Sequence, residues 1–225
     1  MSQAVAATSF GHGGARPYER ALVRGGPLLL TAAGVDETPT LMDVDRYTGP
    51  ADAADLTVIA RATGAVIDLG CGPGRIVRAA IAAERFALGI DISAAAVAMA
   101  QAEGLPVLCR DIGDPLPLEG QWNAALLLDG NIGIGGDPAR LLERARRLID
   151  PSGLVIVETA QEPDEHRVFL AEVRDSGGRT SAAFPWAQVG SRSLTRIAES
   201  LGLQVEESWS YGSRAFLALR SASRR

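Results

Sequence analysis

Ala65-Val66-Ile67-Asp68-Leu69-Gly70-Cys71-Gly72-Pro73-Gly74-Arg75 is the stretch whose reading decides the fold. A short apolar run carries one acid, gives way to glycine at every second position, and leads into helix-forming residues. That order reads as a buried strand from Ala65 to Leu69, a tight turn, and a helix starting near Pro73. Gly70, Gly72 and Gly74 let backbone approach a ligand where a Cβ would collide. Pro73 suits a first helical turn, where its missing N–H costs nothing. Asp68 falls at the carboxyl end of the strand, the edge at which open α/β sheets bind ligands.

The same alternation continues on the C-terminal side. A helix to about Ala83 presents Ile76, Val77, Ala80 and Ile81 on one face. A strand over Phe86 to Ile90 ends at Asp91, and Ser93 caps a helix from Ala94 to Glu103 that Gly104 stops. Strands follow at Leu105 to Cys109 and Asn123 to Leu128. Asp137-Pro138 opens a helix to Ile149, and a strand runs from Leu154 to Glu158. Strands and helices in this order make a parallel sheet covered on both faces. Gln161 to Gly178 reads as a polar, charged stretch without an element. A helix from Ser193 to Leu201 then precedes two strands, Leu203 to Trp209 and Arg214 to Leu219. The short Tyr211-Gly212-Ser213 connection between them permits only antiparallel neighbours. On the N-terminal side, residues 1–15 read as a flexible tail and 16–45 as a small cap segment. The cap holds a helix from Pro17 to Arg24 and a hairpin of Leu28–Leu30 with Thr40–Met42. Residues 46–225 form the main domain, entered by a helix that ends near Arg61 and faces inward with Leu56, Ile59 and Ala60.

Composition bounds the function. A chain of 225 residues with a net charge of −5 fits one large domain and disfavours a general affinity for nucleic acid or acidic membranes. Its two cysteines, Cys71 and Cys109, have no partner at metal-ligand spacing, so reduced thiols and no metal are expected. There is no secretory pattern and no apolar run of spanning length, which gives the expectation of a cytoplasmic protein acting as monomer or homodimer.

The run D-x-G-x-G-x-G from Asp68 to Gly74, the spaced Asp91 and Asp111, and the terminal hairpin together resemble the class I S-adenosylmethionine-dependent methyltransferases over about Asp43 to Arg220. The resemblance implies a Rossmann-like seven-stranded sheet, mostly parallel with an antiparallel C-terminal hairpin, here with a small N-terminal cap. It implies S-adenosyl-L-methionine as cofactor and methyl transfer to a small-molecule acceptor. An NAD-dependent oxidoreductase is the alternative, opposed by Arg75 where the dinucleotide fingerprint needs a third glycine. A non-catalytic S-adenosylmethionine-binding protein is the other.

The resemblance also assigns positions. Asp68, Gly70, Cys71, Gly72 and Gly74 should meet the methionine part of the cofactor. Asp91, with Ile92 beside it, should meet the ribose, or else cap the helix at Ser93. Asp111 and Ile112 should meet the adenine, and Leu128 and Asp129 should also bind the cofactor. Asp129 and Asn131 head a glycine-rich loop and either orient an acceptor, take its proton, or hold the loop as an Asx turn. His166 is a further general-base candidate, since histidine is a common general base in catalysis. Tyr47, Asn131, Trp186 and Tyr211 are the candidate acceptor contacts, with ordinary packing as the other reading of the aromatics. Arg140, Arg144, Arg146 and Arg147 read as the solvated face of one helix.

Overall fold

The computed structural model describes residues 16–222. The tail expected at 1–15 lies outside the described residues. Two sheets are present. Seven strands form the larger one: β3 (Val66–Leu69), β4 (Ala87–Asp91), β5 (Val107–Cys109), β6 (Trp122–Leu127), β7 (Ile149–Thr159), β10 (Leu203–Tyr211) and β11 (Arg214–Ser221). Their spatial order is β5-β4-β3-β6-β7-β11-β10. Every pair from β5 to β7 is parallel, and β11 runs antiparallel to both β7 and β10. This is the expected Rossmann-like sheet, reversed only at its seventh strand.

Side chains leave this sheet alternately for two cores, as a sheet covered on both faces requires. Val66, Leu126 and Phe216 face one way, towards α3 (Ala53–Arg61), α4 (Arg75–Ala82) and α5 (Ala94–Ala102). Ile67, Leu127 and Leu217 face the other, towards α6 (Pro138–Leu148) and α7 (Ser191–Ser200). The helix starts follow their local chemistry. Asp52 and Asp55 close a reciprocal capping box on α3, Ser93 caps α5, and Asp137 caps α6 ahead of Pro138. Val58 rather than Leu56 carries α3 into the core, and Ile81 is likewise turned out to solvent.

The stretch read as structureless between Gln161 and Gly178 is in fact β8 (His166–Asp175), paired with β9 (Phe184–Val189). Those two strands complete a second sheet with β1 (Leu28–Ala32) and β2 (Thr40–Met42), in the order β2-β1-β8-β9 and antiparallel throughout. The cap is therefore built from two segments far apart in the chain. The inner face of this sheet, with Leu28, Leu30, Val173, Phe184 and Trp186, packs with Tyr18, Ala21 and Leu22 of α1 (Arg16–Arg24) and with Val44 of α2 (Val44–Thr48). No helix among the described residues is long and apolar enough to cross a membrane.

Candidate active site

At the carboxyl ends of β3, β4 and β6 a cavity of about 940 Å³, counting its open mouth, lies between the two sheets. One wall is the glycine turn. Gly70 and Cys71 both donate their N–H to the carbonyl of Ile90, at 2.8 and 3.0 Å, which bends the chain towards β4. Gly74 caps α4 at φ +89°, and a Cβ there would lie 2.7 Å from Leu105 Cδ1. Packing within the protein thus demands this glycine before any ligand does.

The acids of this wall differ in their partners. Asp91 accepts from Gly72 N and Ser93 N, each at 2.7 Å, so it ties the turn to the start of α5 while lining the cavity. The capping and ligand readings of Asp91 are therefore compatible. Asp111 accepts from Gly113 N at 2.7 Å and is otherwise exposed along the cavity, beside Ile92 and Ile112. Asp68 is buried, and its Oδ2 has no hydrogen-bond partner among the described residues. Burial pushes its carboxyl up to about 8, Asp129 adding to the effect and Arg75 opposing it. Burial likewise pushes the Cys71 thiol up.

Asp129 ends β6 in a left-handed conformation, φ +56°, and its N–H donates to Glu158 Oε2 at 2.8 Å. Its carboxylate is engaged on both sides: Oδ1 accepts from Arg46 Nη2 and Oδ2 from Arg75 Nη2, each at 2.5 Å. Arg75 also pairs with the wholly buried Asp55, and Arg214 joins Asp55 and Glu158 at 2.8 and 2.7 Å. Three guanidinium groups and four carboxylates, counting Asp52, thus knit α2, α3, α4, β6, β7 and β11 behind the cavity. Burial nonetheless holds the Asp129 carboxyl above its ordinary value, with Arg75 and Arg46 opposing it. Asn131 donates Nδ2 to the carbonyls of Leu69 and Gly70 at 3.0 and 2.9 Å, fastening the loop after β6 to the glycine turn. Behind it, a Cβ on Gly133 would lie 2.1 Å from the Ala187 carbonyl. Gly133→Ala should therefore lower stability by about 1–3 kcal/mol in denaturant unfolding, because the loop after β6 must lift off β9.

The opposite wall comes from the cap. Tyr18, Met42, Tyr47 and Trp186 line it, with Ile134. Burial raises the Tyr18 and Tyr47 hydroxyls above the ordinary phenol range, which keeps both protonated. The structure brings Asp68, Gly70, Cys71, Gly72, Asp91, Ile92, Asp111, Ile112, Leu128, Asp129, Asn131, Tyr47 and Trp186 around one cavity. Gly74 sits at the α4 cap beside it. His166 and Tyr211 do not join them. His166 is an exposed residue at the start of β8, opposite Val189, and Tyr211 is half exposed at the end of β10. Sequence reading missed Tyr18 and Met42, although Tyr18, Ala21 and Leu22 share one helix face at i, i+3 and i+4. It also misplaced Arg144, which is buried and not solvated: it donates to the carbonyls of Ile112 and Asp114 and to Glu119.

Residues 66–153 match the family model described as a methyltransferase domain. A trans-aconitate 2-methyltransferase of Deinococcus radiodurans is 33% identical over 139 residues, covering 58% of this chain and 52% of its own length. The chain thus spans about half the length of that relative. Among solved structures, a SAM-dependent methyltransferase of Bacteroides fragilis in complex with S-adenosyl-L-homocysteine superposes with a TM-score of 0.75 at 18% identity, over 93% of this chain and 94% of that one. A sugar N-methyltransferase of Streptoalloteichus gives 0.60 at 17% identity, over 86% of this chain and 100% of that one.

Proposed function

We propose, from the premise of a methyltransferase-family domain at residues 66–153 set in a class I methyltransferase fold, that this chain transfers a methyl group from S-adenosylmethionine to a small-molecule acceptor. The observation that carries the reading is the partnerless, buried Asp68 Oδ2 on the cavity wall. A buried acceptor atom without a donor is costly, and a ligand ammonium is the donor it suits. The methionine end of the cofactor has such a group. Asp91, at the end of β4, has lone pairs left for ribose hydroxyls after its two backbone contacts. Ile92 and Ile112 offer apolar surface to a base, with Asp111 at its edge. Bound there, the cofactor supplies a methyl group already activated by its positive sulfur.

The chain's own contribution is alignment and exclusion of water. The cap wall of Tyr18, Met42, Tyr47 and Trp186 faces the glycine turn and confines an acceptor between them. Asp129, paired with Arg46 and Arg75, anchors that wall through α2. The trans-aconitate 2-methyltransferase and sugar N-methyltransferase relatives support a small-molecule acceptor.

Calorimetric titration with S-adenosylhomocysteine tests the reading. One saturable site with a Kd below about 1 mM is expected. Absence of heat at protein concentrations far above micromolar overturns it. Incubation of a metabolite extract with methyl-labelled cofactor, read by mass spectrometry, then identifies the acceptor.

A further inference from the structure

We infer that Arg144, on the far side of the sheet from the glycine turn, is a positioning residue that sets affinity for the nucleoside half of the cofactor. The inference rests on the proposed cofactor site and goes beyond it in naming a residue outside the cavity.

The connection between β5 and β6, residues 110–121, holds no helix or strand. Its first three residues, Arg110, Asp111 and Ile112, nevertheless line the cavity. Contacts within the connection fix its local shape: Gly113 N and Asp114 N both donate to Asp111, and Arg110 Nη1 donates to the Pro115 carbonyl. The ends of the connection are tied to neighbouring elements, Arg110 N to the Asp91 carbonyl and Gly120 N to the Leu148 carbonyl, each at 2.9 Å, and Arg144 holds the part between them that carries Ile112 and Asp114. Its Nε donates to Ile112 O at 2.8 Å, and its Nη2 donates to Asp114 O at 2.6 Å and to Glu119 Oε1 at 2.7 Å. Glu119 in turn accepts from Leu116 N at 2.8 Å, so the guanidinium reaches both halves of the connection. Arg144 is 8% exposed, which strengthens each charged hydrogen bond and makes each unmade one expensive.

The geometry is that of a fork. A planar guanidinium presents several donors in fixed directions, and an ammonium cannot satisfy the same carbonyls at once. The Ile112 carbonyl is drawn towards α6 while the Asp111 and Ile112 side chains stand on the cavity side. Releasing that carbonyl frees both residues to shift, and the cost falls on whatever ligand they contact.

The test compares wild type with Arg144→Met, Arg144→Lys and Glu119→Gln, with Arg146→Met as control. Among the described residues Arg146 pairs with Glu143 alone, on the helix surface, so its loss should leave both affinities unchanged. The probes are adenosine and S-adenosylhomocysteine, titrated calorimetrically well below every variant's unfolding temperature. Arg144→Met should weaken both ligands by the same factor, roughly tenfold, as expected for about one net hydrogen bond lost. Arg144→Lys should recover little of this, and Glu119→Gln should show a smaller loss that remains readable if Arg144→Met does not fold. Unchanged affinities beside a lowered Tm would make Arg144 merely structural and overturn the inference. A loss for S-adenosylhomocysteine but not adenosine would also overturn it. Failure of wild type to bind S-adenosylhomocysteine is a separate result that strikes the proposed function itself.

Discussion

Arg75→Met should unfold with a stability loss of about 3–5 kcal/mol at pH 7, the cost of leaving buried charges without their partner. For a chain of this size that corresponds to a fall in Tm of roughly 10 °C. The residue is 2% exposed, Asp55 is 0% exposed, and Arg75 joins Asp55 to Asp129 through different guanidinium nitrogens. Burial alone would push the Asp55 carboxyl up, but the Arg75 charge and its hydrogen bond overcome that and hold it below its ordinary value. A carboxylate with a depressed folded-state pKa stabilises the protein above its unfolded pKa and stops doing so as pH falls through the folded one. Burial already outweighs the guanidinium charges at Asp129, so losing Arg75 pushes that carboxyl further up, and at Asp55 it leaves only Arg214 and the Asp52 N–H, among the described residues, to oppose burial. Both acids then hold protons to higher pH, so the deficit should be largest near pH 8 and shrink towards pH 5. Adding Asp55→Asn to Arg75→Met should recover part of the loss, because an amide has no charge to strand. Arg75→Lys should not, since one ammonium cannot bridge two separate carboxylates. Urea unfolding across this pH range is the measurement, and a deficit below about 1 kcal/mol at pH 7 would show that water replaces the guanidinium.

Arg75 also shows what can and cannot be read from sequence. As a letter it was only the absence of a dinucleotide glycine. Its partners stand 20 and 54 positions away, and an ion pair leaves no local pattern at such distances. The main sheet was legible because its central strands are buried on both faces and therefore read as apolar runs between turn residues. The strand β8 was not, because its exposed and half-buried positions interleave charge with Val168, Phe169 and Leu170. It becomes a strand through pairing with β1, more than 130 positions away, which no local window contains. His166 looked chemical for want of that context. Arg144 is different, for its signal was present and overlooked. It lies three residues after Leu141 and four before Leu148, on the face that enters the core, whereas its neighbours Arg146 and Arg147 do not share that face. The cavity acids are legible because each sits at or just beyond the carboxyl end of a strand, where chain geometry delivers side chains to one edge. Tyr18 and Met42 escaped because the cap that carries them closes only in three dimensions.

Asp68→Asn should part binding from stability, weakening S-adenosylhomocysteine by roughly 10–100-fold while making the empty protein relatively more stable as pH rises. The wild-type carboxyl, pushed up to about 8 by burial, binds its proton more tightly in the folded state than in the unfolded one. Such a group stabilises the fold fully below the unfolded pKa, near 4, and loses that contribution as pH rises towards 8. Each pH unit across the window costs wild type up to about 1.4 kcal/mol, and an amide pays none of it. Stability curves of the two proteins should therefore diverge between pH 5 and pH 7, whatever constant offset the amide's own hydrogen bonds introduce. The same proton bears on binding. A ligand ammonium favours the carboxylate, so at pH 7 wild type should release up to one proton on taking up S-adenosylhomocysteine, and its affinity should climb with pH until about 8. Titrations in two buffers of different ionisation enthalpy measure that release, and Asp68→Asn should show none. Parallel stability curves, together with an affinity indifferent to pH, would mean that Asp68 is already ionised in the empty site. The partnerless oxygen would then be satisfied by water, and the cavity would have no reason of its own to prefer a ligand that brings an ammonium to it.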